Sequence, residues 1–387
     1  MTSKLIVQIV TWNSDKFLKD CLDSLLSQDY RNFSILIIDN GSQDKTREIF
    51  KKDYSTEQIK KRFKRRLTKI FVLENNKNLG FSRAHNQGLH LMSSEFVLVM
   101  NPDIILENNF LSNLMARAEK ETGVGSFSGK LLQIKSGMQD YEKYIKTEII
   151  DSTGLQVLKN RHFIDRGQGK KDTGQYDQQI DIFGVSGACA LYRRKALEEI
   201  KLPQIDVARL RPRQTRASAD AQFSNQIKDL EKIGEYFDKK FFAYQEDMDV
   251  AWRLQLKNWS CLYVPEAKAY HFRGTGLKQE PSLKEILKGH RHRSAQVEFY
   301  SYRNHLWLLL KNSYWSNILL HLGWILFYQL SKELYLLIFK PRVLFRASGS
   351  FWRSYQEMLK KRKMIIKQAV QSPKEMRIWF KSARFYQ

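Results

Sequence analysis

Between Leu5 and Met100 the chain alternates short β-rich runs with helical patterns, and no other feature restricts its fold as strongly. Leu5–Val10 precedes an amphipathic stretch from Phe17 to Leu26. Ser34–Asp39 comes next, then Lys69–Glu74, a helical pattern near Arg83–Met92, and Phe96–Met100. Such alternation predicts an α/β fold with a parallel sheet covered by helices. In open α/β sheets ligands bind beyond the carboxyl ends of strands, so the residues that end each run are the first candidates for a site. They are Thr11-Trp12-Asn13, Asp39-Asn40-Gly41-Ser42, Asn75 to Gly80, and Asn101-Pro102-Asp103. All are polar and suited to a nucleotide.

Three constellations carry chemistry. Asn101-Pro102-Asp103 follows an apolar run, which sets a carboxylate at a strand's carboxyl end, where it can ligate Mg²⁺ or Mn²⁺ bridging to phosphates. The same composition also makes ordinary turns. The second, Phe241 to Asp249, brings Glu246, Asp247 and Asp249 within four residues ahead of a helical continuation. Crowded carboxylates are costly unless compensated, and one with apolar neighbours can take a proton from a hydroxyl. Capping of a helix start is the alternative for Glu246 and Asp249, and Asp249 is spaced to pair with Arg253. The third is His271, after the strand-like Cys261–Val264 and ahead of Gly274-x-Gly276; imidazole suits Mn²⁺-type ions.

Together these segments resemble the family 2 glycosyltransferases of the GT-A fold, most closely the rhamnosyltransferase-like branch. The resemblance covers roughly residues 5 to 305. It rests on Thr11 and Asn13, Asp39-Asn40-Gly41-Ser42, Asn78-Leu79-Gly80-Phe81 with Asn86, and Asn101-Pro102-Asp103. Further matches are Ser186-Gly187-Ala188 followed by Arg193-Arg194, and Phe237-Asp238 through Glu246-Asp247, Asp249 and Arg253. The resemblance implies that Asp39 reads the base or ribose, that Asp103 and His271 bind a divalent cation, and that Asp247 is the base of an inverting transfer. Thr11, Asn13, Asn40, Asn78, Gly80, Phe81, Asn86 and Asn101 would line the donor, while Ser186, Gly187, Ala188, Glu246, Asp249 and Arg253 would support the acceptor side. Asn101 stands where a fuller metal motif has a first Asp. The implied donor is a dTDP- or UDP-linked sugar, such as rhamnose or another deoxysugar. The implied acceptor is a hydroxyl of a lipid-linked or polysaccharide glycan in the cell envelope.

Charge and texture suggest where such an enzyme works. Lys and Arg number 65 against 41 Asp and Glu, a net charge of +24 that favours anionic partners. Lys340 to Gln387 holds thirteen Lys/Arg against only Glu357 and Glu375, directly after the most apolar stretch, Asn317 to Lys340. On a helical wheel Asn317, His321, Tyr328 and Lys332 share one side and Leu319, Leu322, Leu326, Leu330 and Leu337 the other. That favours a helix lying in the interface of an anionic membrane over a spanning one; a helix packed on the core or a partner subunit is the other reading. The expected location is the cytoplasmic face of the plasma membrane, peripheral or monotopic. Cys21, Cys189 and Cys261 lack metal or disulfide spacing, and secretion by a signal peptide is not expected.

The expected division is a nucleotide-sugar half at 1–122, an acceptor and catalytic half at 123–305 with a basic insertion at about 203–234, and a helical tail at 306–387. From Gly123 to Val185 the pattern weakens into loops. Two alternatives are a nucleic-acid-binding protein, for which Lys60-Lys61-Arg62 and Lys64-Arg65-Arg66 speak without any recognised signature, and a sugar-nucleotidyltransferase, whose basic Gly-rich loop is absent at Val10–Asn13. No nucleic-acid partner is therefore expected.

Overall fold

The structure is a computed structural model, and it describes residues 3–54, 57–58, 62, 68–136, 144–203, 234–272 and 293–382. The N-terminal third runs β1 (Leu5–Thr11), α1 (Asp15–Leu26), β2 (Phe33–Asp39), α2 (Thr46–Lys52), β3 (Ile70–Glu74), α3 (Phe81–Leu91) and β4 (Phe96–Met100). All but α2 are expected elements, with ends shifted by a residue or two. β2 and β4 are buried at every position, as strands covered on both faces must be. α1 turns Leu18, Cys21, Leu22, Leu25 and Leu26 inward at helical spacing.

After β5 (Ile104–Leu106) and α4 (Phe110–Lys120), the expected loops between Gly123 and Val185 are instead strands: β6 (Val124–Ser136), β7 (Tyr144–Ser152), β8 (Leu155–Leu158), β9 (Phe163–Asp165) and β10 (Asp181–Ile182). The alternation is hidden because β6 buries Ser126, Ser128, Lys130 and Gln133 among its apolar residues. Lys130 is accommodated by Asp172 at 2.9 Å and Asp177 at 2.9 Å. β11 (Cys189–Arg193) and α5 (Arg194–Glu199) follow, then α6 (Glu246–Leu256) and β12 (Ser260–His271).

One mixed ten-stranded sheet, ordered β10-β12-β6-β11-β4-β1-β2-β3, carries β5 on β12 and β7 on β6. β3, β2, β1 and β4 are parallel, and β11 joins β4 antiparallel. The boundary expected at 122/123 thus falls between α4 and β6 of a sheet that runs through both halves.

The tail comprises α7 (Ala295–Asn312), α8 (Trp315–Leu320), α9 (Leu322–Phe339), α10 (Pro341–Lys367), α11 (Pro373–Met376) and β13 (Phe380–Lys381). The single helix expected over Asn317 to Lys340 breaks at His321, whose Nδ1 lies 3.1 Å from both terminal nitrogens of Arg161. The two faces are as the wheel places them: Asn317 is buried and His321, Tyr328 and Lys332 are partly buried, while Leu319, Leu322, Leu326, Leu330 (61%) and Leu337 are exposed; Phe327 (70%) is exposed as well. α9 is long and apolar enough to cross a membrane by length and composition.

The tail is also stitched into the body. β13 pairs parallel with β8, which with β9 makes a separate three-stranded sheet. Fully buried Lys311 and Lys361 reach Asp238 at 2.7 and 2.6 Å. Of the basic insertion, residues 204–233 lie outside the described residues, as do Lys60, Lys61, Lys64 to Arg66, and Gly274 to Gly276. Leu202 and Glu235 close its base with reciprocal backbone hydrogen bonds of 2.9 and 2.7 Å.

Candidate active site

The parallel strands end where the sequence places a ligand. At the end of β1 the Thr11 hydroxyl donates to Asp39 Oδ1 at 3.2 Å, and Asp39 is fully buried at the end of β2. Its Oδ2 accepts from Ser42 N at 3.1 Å and from Arg47 Nε at 2.7 Å. Arg47 holds Asn75 O as well, at 3.1 Å, and stays one-third exposed beside the end of β2. A basic residue eight positions past Asp39 looks like an ordinary helix residue in sequence, and sequence reasoning missed it. Asn13, at φ 51°, accepts from Gln43 N at 2.9 Å and takes its own N–H to Ser42 Oγ at 3.0 Å.

Asn40, Asn75 and Gln87 form a buried amide network, with Asn75 Nδ2 donating to Asn40 Oδ1 at 3.0 Å and to Gln87 Oε1 at 2.9 Å. Asn78 Oδ1 accepts from Gly80 N at 2.8 Å, and Phe81 packs edge to face on Phe237. Gly80 sits at φ +82° and a Cβ there would lie 2.5 Å from Phe242 O, so this loop closes directly on the segment before Asp247. Asn86 is spent in the same join: its Nδ2 donates to Phe237 O at 2.7 Å and its Oδ1 accepts from Tyr236 and Phe237 N–H.

That segment is strained. Phe242, Tyr244 and Gln245 all have φ between 63° and 71°, a left-handed conformation that costs non-glycine residues about 1 kcal/mol or more each. It is held from α7, where the Asn304 amide lies 2.7 to 3.0 Å from the carbonyls of Phe241, Ala243 and Tyr244. The strain delivers Glu246, Asp247 and Asp249 to the first turn of α6, where the helix dipole favours anions.

The three carboxylates have different surroundings. Asp249 is fully buried against Arg253 at 2.9 Å and Lys311 at 2.7 Å, and sits below the usual carboxyl range because these cations outweigh the burial that raises it. Asp247 is partly exposed; its Oδ2 accepts from Gly187 N at 2.9 Å and its Oδ1 from Met248 N at 2.8 Å. Burial pushes its carboxyl up, against those two hydrogen bonds. Burial first, and the neighbouring Asp247 second, push Glu246 up to about 8, and its Oε2 is buried without a hydrogen-bond partner among the described residues.

The metal candidates meet on paired strands. β12 runs antiparallel to β5 with His271 opposite Ile104, which brings Asp103 to the histidine. His271 Nε2 is 3.5 Å from Asp103 Oδ1, an oxygen buried without a hydrogen-bond partner among the described residues. On the other side, His271 Nδ1 lies 2.8 Å from Asp151 Oδ2, a residue read in sequence as part of a turn. Burial alone would lower the imidazole, but the carboxylates of Asp103 and Asp151 on either side of it raise it to about 9. No group of three or more His, Cys, Asp or Glu is arranged around a common metal position among the described residues. An orphaned carboxylate oxygen beside a ring nitrogen nonetheless fits a cation that takes its remaining ligands from phosphates and water.

Backbone hydrogen bonds link these groups. Asn101 N donates to Ala188 O at 2.8 Å at the end of β4, one residue from Gly187, which holds Asp247. The absence of a side chain at Gly187 eases this approach, since a Cβ there would lie 3.2 Å from that of Asp247. Ser186 caps the same turn, accepting from Cys189 N at 3.2 Å.

Residues 6–201 match the family model described as Glycosyl transferase family 2, and residues 128–347 that described as Glycosyl transferase family group 2. The N-acetylglucosaminyl-diphospho-decaprenol L-rhamnosyltransferase of Mycobacterium tuberculosis is 22% identical over 298 residues, covering 73% of this chain and 80% of the relative. Glycosyltransferase GlyA of Streptococcus pneumoniae is 28% identical over 127 residues, 32% of this chain. The chain spans only 17% to 39% of the length of the curated relatives that match about a third of it. In fold the chain is similar to GalNAc-T7, solved with UDP, GalNAc and Mn²⁺, with a TM-score of 0.50 at 13% identity over 80% of this chain and 48% of that one. The architecture is the GT-A-like mixed α/β sheet that the sequence led us to expect.

Proposed function

Because the chain belongs to glycosyl transferase family 2, we propose that it transfers a sugar, with inversion, from a nucleoside-diphosphate donor to a hydroxyl of a lipid-linked or polysaccharide acceptor. The observation that carries this reading is the chain of contacts by which Asp247, seated on Gly187 at 2.9 Å, is tied through Ala188 to Asn101, two residues before Asp103 of the Asp103 and His271 pair. In the step we propose, Asp247 takes the proton of the acceptor hydroxyl. That oxygen attacks the anomeric carbon, and the bond to the nucleoside diphosphate breaks on the opposite face. A raised carboxyl is the better base near neutral pH, and Asp247 is raised. The charge on Glu246 is suppressed beside it, so one carboxylate rather than two faces the incoming hydroxyl.

On the donor side, Asp39 and Arg47 are placed for the base or ribose, with Thr11 and Asn13 beside them. Asp103 and His271 would hold a divalent cation, which when bound offsets the negative charge that grows on the leaving diphosphate. The donor in this reading is a dTDP- or UDP-linked sugar; a deoxysugar and an acceptor carried on a lipid diphosphate are consistent with the mycobacterial relative, an N-acetylglucosaminyl-diphospho-decaprenol L-rhamnosyltransferase. We place the enzyme at the cytoplasmic face of the membrane, for which α8, α9 and the basic face of α10 would supply an apolar and cationic surface. Asn40, Asn86, Asp249 and Arg253 act, in this reading, by holding loops rather than by touching sugar. The family matches accord with transfer and not with nucleic-acid binding or nucleotidyl transfer. Mn²⁺-dependent hydrolysis of a panel of nucleotide sugars by the purified chain tests the proposal: turnover of one nucleotide class supports it, and silence across the panel with tight DNA binding refutes it.

A further inference from the structure

We propose that Asp151 is a positioning residue for the cation site: it fixes the His271 ring so that Nε2 presents its lone pair toward Asp103. This rests on the reading of Asp103 and His271 as cation ligands. The sheet places Asp151 by a break in register. β6 pairs Leu131 with Ser152 and Leu132 with Ile150, so Asp151 is the extra residue of a β-bulge between two matched pairs. Bulges re-aim a side chain that regular pairing would send elsewhere. Here the fully buried carboxylate is turned to His271 Nδ1, 2.8 Å away.

The consequence is chemical. A neutral imidazole has one N–H and one lone pair, and a carboxylate at Nδ1 keeps the N–H there. A cation entering between Nε2 and Asp103 Oδ1, which lie 3.5 Å apart, would displace the proton on Nε2 and find that nitrogen's lone pair turned toward it. Asp103 Oδ1 is otherwise buried without a hydrogen-bond partner among the described residues and could serve as a second ligand. A carboxylate behind a histidine ligand is a recurring support of metal sites, and its loss typically weakens metal binding about 10- to 100-fold. Asp151 is not itself a ligand in this arrangement, because the oxygen it uses is taken up by the ring.

The test titrates Mn²⁺ alone into the full chain and counts free Mn²⁺ by electron paramagnetic resonance, with thermal melts to confirm folding. Asp151→Ala should weaken Mn²⁺ binding about 10- to 100-fold, whereas Asp151→Asn, whose amide oxygen still accepts from Nδ1–H, should stay within about threefold of wild type. Asp151→Leu, which removes the acceptor but keeps the volume, replaces the alanine variant if that one melts early. Wild-type affinity in the alanine or leucine variant overturns the inference. So does an asparagine variant as weak as the alanine one, because the negative charge and not the hydrogen bond would then matter. Mn²⁺ binding that survives His271→Ala, or is absent from wild type, also overturns it, while leaving sugar transfer to be judged by the hydrolysis panel.

Discussion

Replacing Lys311 by Met should cost about 3 kcal/mol of folding free energy at neutral pH, although the residue lies in a tail whose positive charge reads as a membrane device. Lys311 Nζ is 2.7 Å from Asp238 Oδ2 and 2.7 Å from Asp249 Oδ1, and all three side chains are fully buried. Breaking a buried pair from one side costs about 3–5 kcal/mol, because a charge is left in low dielectric. The lower end applies here: Asp238 keeps Lys361 at 2.6 Å and Asp249 keeps Arg253 at 2.9 Å. The loss should depend on pH in a definite direction. Burial would raise both carboxyls, but Lys311 and Lys361 hold Asp238 well below the carboxylate range, and Arg253 and Lys311 hold Asp249 below it. Their stabilisation is complete above the unfolded value of about 3.9 and drains as pH falls toward the native values. Without Lys311 the native carboxyls lie closer to their unfolded values and have less to lose in acid. The gap between wild type and variant, measured by urea unfolding, should therefore narrow below about pH 4. A gap under about 1 kcal/mol at pH 7, or one that stays constant into acid, would refute the assignment of Lys311 to a buried network.

Three further outcomes are expected. Phe327→Glu with Leu330→Glu, both on the exposed face of α9, should lower partition onto anionic vesicles at least tenfold with an unchanged melting temperature, each apolar side chain being worth about 1.5–3 kcal/mol when buried; sedimentation with vesicles at the wild-type level would count against the interfacial reading. Glu246→Gln should raise the melting temperature at pH 8 and leave it unchanged near pH 4.5. The native carboxyl is raised to about 8, so its charging removes stability between about 4.3 and 8 as pH rises; an equal effect at both pH values would contradict this. Gly80→Ala should destabilise the fold and slow turnover together, because its Cβ would sit 2.5 Å from Phe242 O; a silent substitution would show that the two loops do not touch.

Sequence patterning gave most of the N-terminal sheet because strands covered on both faces are written in continuous apolar runs such as Phe96–Met100. It failed over β6, where Ser126 and Ser128 are buried among apolar residues and Lys130 is buried through Asp172, far along the chain, so periodicity alone had no signal there. At the site, the order of Asp39, Asn78, Asp103, Asp247 and His271 could be read, since each ends a strand or opens a helix. Asp151 and Arg47 could not, because their roles come from a β-bulge and from the face of a short helix. The tail was half legible: the apolar face of α9 showed in the wheel, but Lys311 and Lys361 look like surface charge until Asp238 and Asp249 are seen beside them. A truncation after Asn304 to test membrane binding would remove both lysines and unsettle the segment before Asp247, so point substitutions on α9 are the cleaner probe.

The account stands or falls on Asp247. With the nucleotide sugar chosen by the hydrolysis panel, Asp247→Asn should bind the donor with nearly wild-type affinity yet lose transfer by about a thousandfold or more, the range of a lost general base with its local geometry retained. Transfer within about tenfold of wild type in that variant would contradict the account and assign the proton to another group.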